Sequence, residues 1–129
     1  MDNDNENDLI NAPSMFRLAK NVSKHSEHKY KLGAVIVANG HPLSVGFNKA
    51  KSHPNAPRFG LHAEVVAIRN SGRKDLRGSS IFVYRKRGDG KVGMARPCEH
   101  CMKELISFGI KWVFYTTNEF PNWDVEKIG

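Results

Sequence analysis

Residues 79–117 read SSIFVYRKRGDGKVGMARPCEHCMKELISFGIKWVFYTT. Ser79 to Tyr84 is a short apolar run rich in β-branched and aromatic residues, as a buried strand requires. Arg85 to Arg96 carries three glycines and five basic residues and reads as an exposed loop. Pro97 suits a first helical turn, Met102, Leu105, Ile106 and Phe108 give the helix an apolar side, and Gly109 ends it. Ile110 to Thr117 is a second buried strand. A strand, a helix and a strand joined by the short Phe108-Gly109-Ile110 link form what a right-handed parallel crossover needs.

Outward from this unit the pattern alternates. Leu61, Val65 and Ile68 recur at helical spacing and stop at Ser71-Gly72. Before them, residues 48–60 contain two prolines and two asparagines without a period and read as a surface loop. The run GAVIVA at Gly33–Ala38, followed by Asn39-Gly40 and then Pro42 to Phe47, predicts a hairpin. Met15, Leu18, Ala19 and Val22 predict a first helix opening at Pro13. The order helix, hairpin, helix, strand, helix, strand implies an α/β fold, a three-layer α/β/α domain with helices on both faces of a mixed central sheet. Residues 1–12, MDNDNENDLINA, lack aromatics and read as a flexible acidic N-terminal arm, which leaves 13–129 as a single domain.

A chain of 129 residues supports one hydrophobic core. No apolar run approaches the length of a bilayer span, so no membrane partner is expected. The start lacks the basic and apolar regions of a secretory signal, and the expected location is cytoplasmic. The chain's two cysteines lie three positions apart, which suits a shared metal rather than a disulfide. The net charge is +7, but Asp2, Asp4, Glu6 and Asp8 precede every basic residue. Beyond them stand 20 basic and 9 acidic side chains, a net +11. That surplus favours anionic partners, nucleotides or nucleic acid, and equally fits a basic protein with no such partner.

Chemistry concentrates at two predicted helix starts, His62-Ala63-Glu64 and Pro97-Cys98-Glu99-His100-Cys101. Two thiolates and an imidazole, Cys98, Cys101 and His62, form a borderline-soft set suited to zinc. Three protein ligands leave the fourth tetrahedral position open, the mark of a catalytic metal. A closed structural site with His100 or His53 as fourth ligand is the alternative. The positive ends of the two helices favour thiolate ligands. His25, His28, His41 and His100 read as surface residues, while Trp112, Phe114 and Tyr115 pack the last strand and Trp123 covers an edge or a subunit contact.

His-x-Glu followed by Pro-Cys-x-x-Cys is the signature of zinc nucleobase deaminases. On these motifs and on its element order from about Gly33 to Thr117, the chain resembles the cytidine deaminase-like superfamily. The resemblance implies a zinc ion that activates water toward the amine-bearing carbon of a base. It also implies that Glu64 moves protons to the ring nitrogen and the departing ammonia, without being a ligand. Helical periodicity alone does not put His62 and Glu64 on one face. Asn48 matches the asparagine that family members place after the second strand to bind substrate, although strand-end asparagines are also common for backbone reasons. In the same scheme Ala63 offers a backbone amide to the base, His53 or Phe59 stacks on it, and Pro97 and Arg96 border it. Arg87 or Arg96 of the basic loop is expected to hold a substrate phosphate.

The expected substrate is a cytosine nucleoside or nucleotide, handled by a homo-oligomer. Val66 stands where deoxycytidylate deaminases often carry asparagine, and His100 where tRNA adenosine deaminases often carry methionine. A base in tRNA or single-stranded DNA is the alternative substrate, and a zinc-stabilised nucleic-acid-binding module without catalysis is the reading outside enzymes.

Overall fold

Chain reversal at Asn39 and Gly40, with φ of 53° and 78°, folds β1 (Lys31–Ala38) and β2 (His41–Phe47) into the expected antiparallel hairpin. Two consecutive positive φ values are what a tight hairpin turn demands, and Asn-Gly supplies them at least cost. In the computed structural model, which describes residues 5–49 and 62–129, β1 also pairs antiparallel with β3 (Ser80–Lys86). β3 then pairs in parallel with β4 (Trp112–Thr116) across α3 (Glu99–Ser107), the crossover read from the sequence. β5 (Trp123–Lys127) completes the mixed sheet antiparallel to β4, giving the order β2-β1-β3-β4-β5.

Strand alternation divides the core between the two faces of this sheet. Val35, Val37, Phe82, Phe114 and Tyr84 point to α1 (Glu6–Ser23), where Phe82 stacks on Phe114 at 4.3 Å and Phe16 meets Phe82 edge-on at 5.4 Å. Ala34, Ile36, Ile81, Val83 and Val113 point to the opposite core with α2 (Ala63–Ser71) and α3. The expected α/β/α layering follows. Among the described residues no helix is long and apolar enough to cross a membrane.

The sequence reading needs correction at four boundaries. α1 begins at Glu6, so residues 6–12 belong to a helix and not to a flexible arm; residues 1–4 lie outside the described residues. Glu6 and Asp8 are first-turn acids that complement the helix dipole. Asp8 is buried and accepts a hydrogen bond from Ser80 Oγ, and Ala12 is fully buried. α3 begins at Glu99, two residues after Pro97. Arg85 and Lys86 extend β3, and the remaining basic loop turns tightly back through Arg87 N–H to Lys91 O (2.8 Å) and a bridge between Lys86 and Val92. β5 is absent from the sequence reading because three of its five residues, Asp124, Glu126 and Lys127, are charged. Its alternating Trp123 and Val125 pack on the α1-side core, so Trp123, expected to cover an edge or a subunit contact, is itself part of the edge strand.

Two glycines let the helices close on the sheet. A Cβ at Gly33 would lie 1.9 Å from Ala19 O of α1, and one at Gly46 would lie 2.4 Å from Ala67 N of α2. Neither backbone can yield without moving its helix. Gly33→Ala and Gly46→Ala should each destabilise the protein by about 1–3 kcal/mol in urea unfolding, the usual cost of overpacking. Gly46→Ala should also reduce bound metal, because α2 starts at the metal-binding segment. A change below about 0.5 kcal/mol in both would show that the helices slide freely on the sheet.

Candidate active site

His62 and Cys98 are the residues immediately before α2 and α3. Both have extended backbone angles, with φ −74°, ψ 148° and φ −67°, ψ 166°, and neither side chain caps its helix. A residue at this position is free of the helical period. His62 can therefore share a site with Glu64, two residues on, despite their opposed positions on an ideal helix. Cys101 lies three residues after Cys98, the spacing of one helical face.

The ligand atoms of His62, Cys98 and Cys101 all lie within 4.8 Å of one another. His62 Nδ1 is 3.1 Å from Cys101 Sγ and 3.8 Å from Cys98 Sγ. Tetrahedral zinc with ordinary Zn–N and Zn–S bonds separates such atoms by about 3.6 Å. Among the described residues no fourth histidine, cysteine or carboxylate joins the cluster, and Glu64 stands outside it. His100 is exposed and takes no part, and His53 lies outside the described residues. These residues fit a three-ligand zinc site.

Electrostatics point the same way. Glu64 is 3% exposed, and its Oε1 is buried with no hydrogen-bond partner among the described residues. Burial pushes its carboxyl up to about 7, only partly offset by its own backbone N–H. Burial also raises the Cys101 thiol, and the charges of Glu64 and Cys98 act in the same direction. The carboxylate of buried Glu64 and the thiolates of buried Cys101 and exposed Cys98 repel each other, and a divalent cation among them reverses the sign of that interaction.

His62, Ala63, Glu64, Cys98, Asn48 and Arg96 line one cavity of about 230 Å³. Pro97 is buried and is not on its wall, while His53 and Phe59 lie outside the described residues. Asn48 is held at both ends of its amide: Oδ1 accepts from Leu32 N–H at 2.9 Å and Nδ2 donates to Tyr30 O at 3.1 Å. Ser26 Oγ donates to the Asn48 carbonyl at 2.9 Å. Its first task is thus to pin the start of β1 to the end of β2, with one amide hydrogen and one lone pair left over.

The expectation of a phosphate contact from Arg87 or Arg96 meets a competing partner in each case. Arg96 makes a two-pronged ion pair with Glu126 of β5 at 2.6 and 3.1 Å, and Arg87 pairs with Asp89 at 2.5 Å. His28, read as a surface residue, lines the cavity together with Tyr30, Leu32, Arg85, Met94 and Ala95. Arg85 was legible in principle. It continues the Ile81, Val83 alternation toward the face that carries α2 and α3, and it pairs with Leu32.

Purified protein should carry about one zinc per chain, and Cys98→Ser or Cys101→Ser should lose it in metal analysis. Glu64→Ala should keep it, because Glu64 stands apart from the ligands. Loss of zinc from Glu64→Ala as complete as from His62→Ala would make Glu64 a ligand. A second outcome concerns Glu126, whose carboxyl is held below its usual range by the Arg96 hydrogen bond. A depressed folded pKa contributes stability above pH 4.5 that is lost as pH falls through the folded value. The pair is partly exposed, so Glu126→Gln should cost about 0.5–1 kcal/mol at neutral pH, shrinking toward zero in acid unfolding curves.

The profile of the cytidine and deoxycytidylate deaminase zinc-binding region matches residues 10–117. No curated protein matches the sequence. Among solved structures, a dCMP deaminase from the cyanophage S-TIM5 is 26% identical, with 81% of each chain covered and a TM-score of 0.61. The same phage protein was also solved with dCMP and dUMP, where identity is 25%, coverage 84% of this chain and 82% of that one, and the TM-score 0.62. A cytidine deaminase from Burkholderia pseudomallei shares the fold at 22% identity, covering 91% of this chain and 92% of its own, with a TM-score of 0.69. Because the profile spans most of the sequence and takes in both metal-binding segments, this chain belongs to the cytidine and deoxycytidylate deaminase zinc-binding family.

Proposed function

We propose that the protein hydrolytically deaminates a cytosine nucleotide or nucleoside, releasing ammonia and the uracil product. The observation that carries this reading is Glu64, a buried carboxyl with an unpartnered oxygen in the cavity lined by His62 and Cys98, two of the three converging metal ligands. Zinc bound there supplies a Lewis acid that makes water nucleophilic at neutral pH. Glu64, held near 7 by burial, is suited both to accept a proton and to give one back. It would take one proton from the attacking water and give it to the ring nitrogen, then take the remaining proton of the added hydroxyl and pass it to the amine, which leaves as ammonia as the carbonyl forms. Ala63, buried between ligand and acid, would offer its backbone to the base, and the free hydrogen of Asn48 Nδ2 would reach the sugar or base edge. The phage dCMP deaminase solved with dCMP and dUMP supports a monomeric cytosine substrate. A zinc-stabilised binding module has no use for an unpartnered buried carboxyl beside its metal.

The test is incubation of zinc-loaded protein with cytidine, deoxycytidine, their monophosphates, adenosine, guanine and short oligonucleotides, read by product mass and ammonia. Turnover of a cytosine monomer, reduced about a hundredfold to ten-thousandfold in zinc-retaining Glu64→Ala, is the expected result. Turnover confined to oligonucleotides, with binding that falls steeply in salt, would establish the polymer substrate instead. No turnover of any member would sink the enzymatic reading.

A further inference from the structure

Of the two arginines that line the cavity, Arg85 and Arg96, only Arg96 is matched to a carboxylate; among the other described arginines Arg77 and Arg87 are paired, while Arg17, Arg69 and Arg73 have no ion pair and lie off the cavity wall. Arg77 lies 4.0 Å from Asp75, Arg87 pairs with Asp89, and Arg96 pairs with Glu126. Arg85 lines the cavity, and among the described residues it has no carboxylate partner. Its Nη1 reaches only the Met94 carbonyl, at 3.4 Å, and its Nε is buried without a hydrogen-bond partner. No ion pair joins it to Glu64, the acid of the same cavity. A guanidinium is never neutral in a protein, so its charge and unused donors must be answered by something else.

We propose that Arg85, flanked by His28 and Tyr30, binds the phosphate of a nucleoside monophosphate, an assignment that rests on the deaminase reading above. His28 and Tyr30 line the same cavity, with their rings 5.8 Å apart and 24° from parallel. The Arg85 guanidinium sits 5.1 Å from the centre of the Tyr30 ring, which orients its planar fork. Tyr30 therefore has a histidine and a guanidinium already packed against it. That leaves the ring poorly suited to stack a neighbouring base of a polynucleotide, the use such an aromatic would have in a polymer-binding groove. What the three residues retain is hydrogen-bond donors: imidazole N–H, phenol O–H and the guanidinium fork. Planar two-pronged donation from arginine matches a phosphate. Arg96, which the sequence favoured for this task, already makes the same kind of bond to Glu126.

Calorimetry on zinc-loaded protein compares binding of dUMP with deoxyuridine and of UMP with uridine, in wild type, Arg85→Met, Arg85→Lys and Arg87→Gln. The wild type should hold the monophosphates roughly tenfold to a hundredfold more tightly than the nucleosides, as expected for charge-assisted hydrogen bonds. Arg85→Met should erase that preference while leaving nucleoside affinity and zinc content within about twofold, Arg85→Lys should keep part of it, and Arg87→Gln all of it. Kinetics on the corresponding cytosine compounds should show the loss in KM, with kcat little changed. A wild type that holds nucleotides no more tightly than nucleosides overturns the assignment, and so does an Arg85→Met protein that keeps the preference. Equal weakening of nucleoside and nucleotide in both Arg85 variants, with zinc retained, likewise overturns it and makes Arg85 a packing residue. Arg85-dependent nucleotide preference without deamination of any compound leaves the phosphate site standing and removes the reaction instead.

Discussion

Three ligands on two separate segments meet only if α2 and α3 start side by side at one end of the sheet, and that depends on how closely α2 lies on β2. Contact is set by the smallest residues available. Gly46 faces Ala63 and Ala67, both fully buried, and even a methyl group at Gly46 would strike the α2 backbone. The alanine between His62 and Glu64 is thus a packing element, holding ligand and acid at a fixed height above the strand. From this single approach follow the position of His62 just outside the helix and the burial of Glu64 just inside it.

Burial at that point has an electrostatic consequence. Burial opposes ionisation of Glu64 and Cys101, and the charges of Glu64 and Cys98 oppose that of Cys101 further. The domain places two helix N-termini there, whose partial positive charges offset only part of that repulsion. The site is therefore built around a cation, and the carboxyl that remains outside the ligand cluster is the one left poised near neutrality.

At the cavity rim, opposite charges have been sorted. β5 brings Glu126 to Arg96, directly before the Pro97-Cys98 ligand segment, and Tyr115 of β4 shares the contact. Asp89 does the same for Arg87 within its own turn. Thr116 Oγ1 accepts from Arg85 N–H and donates to Gly93 O, stitching the returning loop to the sheet. A stretch that reads as free basic charge is folded into a braced support for one metal ligand, with Arg85 left facing the cavity.

Much of this was legible residue by residue. Asn39-Gly40, Gly72 and Gly109 mark chain reversals because only certain residues tolerate positive φ, a property of the local backbone. The parallel crossover over residues 79–117 and the zinc ligands were readable for the same reason: apolar period, residue chemistry and short spacing are local. What depended on distant partners was not. The segment Glu6 to Ala12 is held by distant partners, Asp8 by Ser80, 72 positions away, and Ala12 by the α1-side core, and β5 exists because β4 offers an unpaired edge and that core accepts Trp123. Asn48, expected from the sequence to bind substrate, lines the cavity, but its hold on Tyr30 and Leu32 appears only once β1 and β2 are paired. The sequence by itself determined the donor set and the element order. Tertiary structure alone decided which charges are cancelled and which face the cavity, because the energy of a charge is set by neighbours and solvent that no local pattern encodes.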